Sequence, residues 1–255
     1  LCEAQGFGPV LLVGLTARGK TEVYPQAIQH RLRAGRQVLV LVPEIGLTPQ
    51  TIQRFRARFT VPVRVLHSGL TDRERLQTWI EAREGRAEII IGTRSAIFTP
   101  LARPGLIVID ESHDSSFKQQ EGLRYSARDL AVWRARLLEI PVVLGTATPS
   151  LETLQLARRG RYRHLQLRNR AGGAQPPTLA LEDCNGLPPH RPITDHGLIA
   201  LADTLQGGHQ ALVFVNRRGY APRLLCGDCG WLAECPRCDS FLTWHKAERS
   251  LRCHH

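Results

Sequence analysis

Methionine is absent from the sequence, and lysine occurs only at positions 20, 118 and 246. Also missing is any apolar run of about 18 residues, the length that a membrane-spanning helix requires, so no membrane partner is expected. The N-terminus lacks the basic-then-apolar succession of a secretory signal peptide. With no methionine even at position 1, and an end inside the motif Arg252-Cys253-His254-His255, the chain reads as a fragment of a longer protein.

What is present is positive charge. Thirty-four Lys and Arg face 23 Asp and Glu, for a net charge of +11 that is nearly all arginine. Such a balance favours a polyanionic partner, most simply nucleic acid, with a merely solvated basic surface as the alternative. A chain of 255 residues with 42% hydrophobic residues is long enough for one or two globular domains. Of seven cysteines, five (Cys226, Cys229, Cys235, Cys238 and Cys253) crowd the last 30 residues. Without a secretion signal, that clustering points to a metal rather than disulfides. Cys2 and Cys184 stand alone and read as free thiols.

Strands and helices alternate from the start. The apolar runs at 9–14, 37–42, 61–67, 87–93, 105–110 and 140–146 predict buried parallel strands. Helices are predicted over 20–34; over 47–59, with Thr48 as N-cap and Pro49 first; over 71–85, with a Thr71–Glu74 capping box and Gly85 at the end; and over 126–139, with a Ser126–Asp129 box. The pattern implies an α/β fold, a parallel sheet with helices on both faces. Residues 168–192, rich in Gly and Pro, read as a linker. A helix near 195–206, a strand at 210–216 and the cysteine-rich tail follow.

The stretch GLTARGKTEVY places Gly14, Leu15, Thr16, Ala17, Arg18, Gly19, Lys20 and Thr21 in P-loop spacing, after an apolar strand and before a helix. In that context backbone N–H groups and the helix dipole converge on phosphate oxygens. Lys20 would reach the outer phosphates and Thr21 would ligate Mg²⁺. A P-loop also needs a carboxylate at the carboxyl end of a neighbouring strand, and LIVIDES supplies Asp110 and Glu111. Asp110 would hold Mg²⁺ through water, and Glu111 would orient and deprotonate an attacking water. Apart from each other, the two motifs read as a chance turn and a solvated strand end; together they point to nucleotide binding. HSG (67–69), PEIGL (43–47), GTRSAIF (92–98) and GTATPS (145–150) follow strands along the same rim, with groups suited to phosphate-backbone contacts.

These segments, with VFVNRRGYAP and the cysteine pairs, resemble helicase superfamily 2, and within it the primosomal replication-restart DNA helicases; the likeness covers nearly the whole chain. It implies two RecA-like lobes that hydrolyse ATP between them, 3′-to-5′ translocation on forked or single-stranded DNA at stalled or repaired forks, and primosome assembly. The implied partners are primosome proteins and single-stranded DNA-binding protein, in the cytoplasm at the nucleoid. The expected domains are a first ATP-binding lobe at 1–167, a linker at 168–192, the start of a second lobe at 193–225 and a zinc module at 226–255, the last two truncated. Family P-loops read Gly-Ser where Ala17-Arg18 stand, which implies weaker nucleotide affinity. Ser112 replaces a family Glu, while the acids at 110 and 111 remain. His113 would couple this acidic box to neighbouring motifs, or serve as a hydrogen-bonded structural histidine. In the family's aromatic-rich loop (114–129 here), Phe117, Arg124 and Tyr125 would stack on bases or pair with phosphates; a solvated connector is the alternative.

Cys226-x₂-Cys229 and Cys235-x₂-Cys238 are chelating pairs for tetrahedral Zn²⁺. Only five residues separate them, tight for one ribbon and suited to two ions. The resemblance implies two structural zincs and eight cysteines. Cys253 would begin a third pair, so cysteines of this chain complete neither site, and substitution by His254 or His255 is not expected. Gly230, Trp231 and Trp244 are expected to pack around this module, with DNA contact as the alternative. The leading reading is a DNA-dependent ATPase motor that turns over poorly as these residues alone, because the second lobe's arginine is lacking. The alternatives are a DNA- or partner-binding module with a degenerate P-loop, and a small-molecule kinase.

Overall fold

The computed structural model describes residues 6–14, 20–167, 178–183, 193–214, 224–226, 229–238, 240–245 and 248–253. Two compact units result, Leu1–Pro177 and Thr178–His255. Of the expected linker, residues 168–177 and 184–192 lie outside the described residues, and 178–183 are exposed without regular structure.

The first unit is built on seven strands: β1 (Gly8–Gly14), β2 (Gln37–Leu41), β3 (Val63–Leu66), β4 (Ile89–Gly92), β5 (Pro104–Ile109), β6 (Pro141–Thr146) and β7 (Arg163–Leu167). They pair in the order β3-β4-β2-β5-β6-β1-β7, every pair parallel. The intervening helices are α1 (Lys20–Arg33), α2 (Pro49–Arg58), α3 (Asp72–Arg83), α4 (Ala127–Leu137) and α5 (Leu151–Arg158).

Successive side chains of a strand leave opposite faces, and both faces here are apolar. Val38 and Val40, Ile89 and Ile91, and Leu106 and Val108 pack with Ala27 and Ile28 of α1 and Phe55 of α2. Leu39 and Leu41, Ile90, Ile107 and Ile109 pack on the other face with Ala82 of α3 and Ala127, Ala131 and Ala135 of α4. The small alanines let α4 approach the sheet closely. Each fully buried Ile or Leu contributes about 1.5–3 kcal/mol, and this two-sided core holds the sheet between its helices.

All three predicted N-caps form. Thr48 caps α2, the reciprocal Thr71–Glu74 box caps α3, and Ser126 accepts the Asp129 N–H at α4. The Ser126–Asp129 box is only half made, because the Asp129 carboxylate accepts instead from Arg128 Nε at 2.9 Å. Gly85 follows α3 at φ 76°, a conformation that glycine adopts without steric cost.

Two expectations change. The carboxylate-bearing strand β5 is not the neighbour of β1, because β6 lies between them. The strand expected at 210–216 does not form over 210–214, where Leu212 and Phe214 are 93% and 81% exposed. Those residues pair with no described strand, and apolar side chains alone do not make a strand without a ladder partner. Residues 215–223, the core of VFVNRRGYAP, lie outside the described residues.

In the second unit, α6 (Asp195–Gln206) is capped by Thr194, whose hydroxyl accepts the Gly197 N–H. A short antiparallel hairpin, β8 (Thr243–His245) and β9 (Ser250–Arg252), then leads to Cys253. Among the described residues, no helix is long and apolar enough to cross a membrane.

Candidate active site

In an all-parallel sheet every strand delivers its carboxyl end to one edge, where open α/β folds bind ligands. Here β1 runs into the P-loop stretch and β5 into Asp110 and Glu111. Lys20 is the first residue of α1 and only 4% exposed. Its ammonium donates to Glu111 Oε1 at 2.6 Å. Leu15, Thr16, Ala17, Arg18, Gly19 and the side chain of Thr21 lie outside the described residues, so the effect of Ala17-Arg18 on the loop does too. Gly14 ends β1, beside Leu167 at the end of β7.

Glu111 turns the chain sharply. Its φ is +46°, in the left-handed region that costs a non-glycine residue about 1–3 kcal/mol and that clusters at functional sites. Its backbone N–H donates to Asp110 Oδ1 at 3.0 Å, and its carboxylate faces Lys20. Asp110 also accepts the Tyr24 hydroxyl at 2.9 Å. Burial pushes the Asp110 carboxyl above the usual carboxylate range, and the Tyr24 hydrogen bond and the Lys20 charge pull it partly back. Burial, then the Asp110 charge, pushes the Tyr24 hydroxyl well up, so that tyrosine stays a donor.

His113 Nδ1 lies 2.8 Å from Thr146 Oγ1, at the end of β6, and 3.6 Å from Glu111 Oε2. Thr146 also accepts the Thr148 N–H, so the acidic turn and the GTATPS turn are tied together through one hydroxyl. Ser112 adds a backbone tie, its N–H donating to the Gly145 carbonyl at 2.9 Å. Two carboxylates against one ammonium leave this partly buried cluster with excess negative charge, the donor set that suits a hydrated Mg²⁺ beside phosphates.

Three readings of nearby residues change or gain content. Phe117 is 2% exposed and packs in the core with Ile97, Ile109 and Ala127, so it offers no face to a base. Tyr125 packs edge-on against the half-exposed Phe98, with ring centroids 5.0 Å apart, whereas Arg124 is exposed. Arg94 of GTRSAIF donates to the carbonyls of Ser116 and Lys118, both at 3.0 Å, and so pins the loop that follows the acidic turn.

In the second unit, the sulfurs of Cys235, Cys238 and Cys253 lie within 4.8 Å of one another. Zn–S bonds of about 2.3 Å put tetrahedral sulfurs about 3.8 Å apart, so three thiolates here fit three positions around one zinc. The Arg237 N–H donates to Cys235 Sγ at 3.4 Å. The Ser240 backbone hydrogen bond holds the Cys238 thiol below its ordinary pKa, favouring the thiolate. Cys226 and Cys229 sit on a separate turn, closed by the Gly230 N–H to the Cys226 carbonyl, and do not join this trio. His254, His255 and Cys184 lie outside the described residues, and Trp231 is 58% exposed rather than packed.

The DEAD/DEAH box helicase model matches residues 4–157, and the chain belongs to that family, whose domain uses ATP with Mg²⁺. A second model, the PriA DNA helicase Cys-rich region (CRR) domain, matches residues 235–255, and with the cysteine trio it implies zinc. The chain is 50% identical over 250 residues to the replication restart protein PriA of Haemophilus influenzae, covering 98% of this chain and 34% of that protein. It is 42% identical over 251 residues to the replication restart protein PriA of Bacillus subtilis, covering 96% and 31%. The chain thus spans about a third of the length of these relatives. Among solved structures, the Pyrococcus furiosus Hef helicase domain is 24% identical with a TM-score of 0.47, over 65% of this chain and 35% of that one.

Proposed function

We propose that this chain is the ATP-binding motor of a replication-restart DNA helicase, with residues 1–167 as its first lobe, 193–225 beginning a second lobe, and 226–255 a structural zinc module. The observation that carries the reading is the convergence of Lys20, Glu111 and Asp110 at one edge of the sheet. Glu111 takes one of the three Lys20 N–H donors, and the others are available to phosphate oxygens. Asp110 would hold a magnesium ion's water shell, joined by the Thr21 hydroxyl. Glu111 would orient and accept a proton from the attacking water, and His113 would pass the state of this turn to Thr146 and the GTATPS segment.

The substrate follows from the relatives and the charge. A chain at +11, nearly all arginine, suits a DNA backbone, and the whole protein is read as a 3′-to-5′ translocase at stalled or repaired forks. Its partners would be forked or single-stranded DNA, primosome proteins and single-stranded DNA-binding protein, in the cytoplasm at the nucleoid. A second zinc would sit on Cys226 and Cys229 with ligands other than the Cys235 trio. The test compares full-length wild-type protein with Lys20→Ala. Loss of DNA-stimulated ATP hydrolysis and of replication restart supports the motor. Equal restart by both proteins overturns it in favour of a binding module, and turnover indifferent to DNA favours a small-molecule kinase.

A further inference from the structure

Lys20 and Tyr24 are four residues apart on α1 and therefore share one face of it. The P-loop motif accounts for the lysine but not for the tyrosine. Tyr24 is 5% exposed, and its hydroxyl donates to Asp110 Oδ1 at 2.9 Å. The same hydroxyl stands over β6: a Cβ on Gly145 would fall 1.6 Å from the Tyr24 oxygen and 2.7 Å from Cζ. Gly145 is flanked by contacts of the site, since its carbonyl accepts from Ser112 and the next residue, Thr146, meets His113. One buried hydroxyl thus touches the aspartate that follows β5 and the backbone of β6 from the helix that carries the phosphate lysine.

We propose that Tyr24 is a positioning residue that aims the Asp110 carboxylate at the magnesium site, and that position 145 is glycine because the Tyr24 hydroxyl occupies the space of a side chain there. A buried carboxylate is oriented by the donors on it. Asp110 has the Glu111 N–H on the same oxygen, Oδ1, as the tyrosine. With Oδ1 held by both donors the carboxylate plane is fixed, and Oδ2 is the oxygen left to meet the ion's water shell. Loss of the hydroxyl frees the carboxylate to rotate, and the first quantity to change is the metal requirement. The inference rests on the nucleotide reading given under Proposed function.

The test uses full-length protein and the variants Tyr24→Phe, Gly145→Ala and the double variant. Two quantities are read: the Mg²⁺ concentration for half-maximal DNA-stimulated ATP hydrolysis, and the affinity for a fluorescent ADP analogue in EDTA. A hydrogen bond to a charged group corresponds to about a tenfold effect. Tyr24→Phe therefore raises the Mg²⁺ requirement about tenfold, while metal-free binding changes far less. Gly145→Ala forces the hydroxyl away and raises the requirement at least as much. Adding Tyr24→Phe to Gly145→Ala relieves part of the clash, so the double variant needs less Mg²⁺ than Gly145→Ala alone. A Tyr24→Phe protein with a wild-type Mg²⁺ requirement, or a double variant whose defects simply multiply, overturns the inference. If wild-type protein itself shows no Mg²⁺-dependent hydrolysis, the nucleotide reading fails instead. Should Tyr24→Phe fail to fold, Gly145→Ala alone decides: it displaces the hydroxyl without removing it, and a wild-type Mg²⁺ requirement in that variant overturns the inference.

Discussion

Phe117 separates a core residue from a DNA-contacting one by the size of two effects. It lies in the loop after the acidic turn yet is 2% exposed, among Ile97, Ile109, Ala127 and Ala131. Truncating a buried phenylalanine to alanine costs about 3–5 kcal/mol of stability. For a chain of this size each kcal/mol moves the melting midpoint by about 2–4 °C, so Phe117→Ala lowers it by roughly 6–20 °C. Phe117→Leu nearly conserves volume and costs less than about 1.5 kcal/mol. A residue that stacks on a base behaves differently, with alanine losing about 1–3 kcal/mol of DNA affinity and little stability. The assay is thermal unfolding followed by circular dichroism, with single-stranded DNA binding measured below the lower midpoint. The structure predicts a large melting shift for Phe117→Ala and DNA affinity for Phe117→Leu within about twofold of wild type. An unchanged midpoint with DNA affinity reduced tenfold or more would refute the core placement.

Asp110→Asn keeps the acceptor for Tyr24 and removes a carboxylate whose folded-state pKa is raised by burial. A raised carboxyl pKa means that the folded state holds its proton longer than the unfolded chain. The penalty is therefore present above the raised folded-state value and disappears as pH falls from that value toward the ordinary carboxylate value, near 4. In metal-free buffer Asp110→Asn melts above wild type at pH 7, the gap closes toward pH 4, and hydrolysis is lost; a gap independent of pH contradicts this. Cys238→Ser and Cys253→Ser are each expected to lose the same equivalent of zinc, and the double variant no more, because the trio would share one ion. Cys226→Ser retains that equivalent, and zinc quantification on purified chains decides.

The first unit was legible because buried parallel strands are near-continuous apolar runs and because helix starts announce themselves through Thr48, Thr71 and Ser126. Two elements went unread. The strand β7 is an edge strand whose sequence, RHLQL, is half polar, and α5 hides behind a motif noticed for its hydroxyls. Lys20, Asp110 and Glu111 were singled out by spacing and type, but spacing carries no strand order, so the predicted strand at 140–146 was not placed between them. Tyr24 was invisible because its partner lies 86 positions away and nothing in GLTARGKTEVY marks its hydroxyl. Phe117 shows the converse error: an aromatic in a polar loop looks like a recognition residue until burial is known. In the tail, cysteine spacing named the candidate ligands, and the hairpin of β8 and β9 supplied what spacing lacked, the return of Cys253 to Cys235 and Cys238.

The most direct measurement is a crystal structure of this protein with Mg²⁺ and a non-hydrolysable ATP analogue. The account predicts terminal phosphates within hydrogen-bond distance of Lys20 Nζ and a magnesium ion whose coordinated water meets Asp110. Phosphates bound elsewhere, or an ion out of reach of Asp110 while Lys20 is engaged, would contradict it.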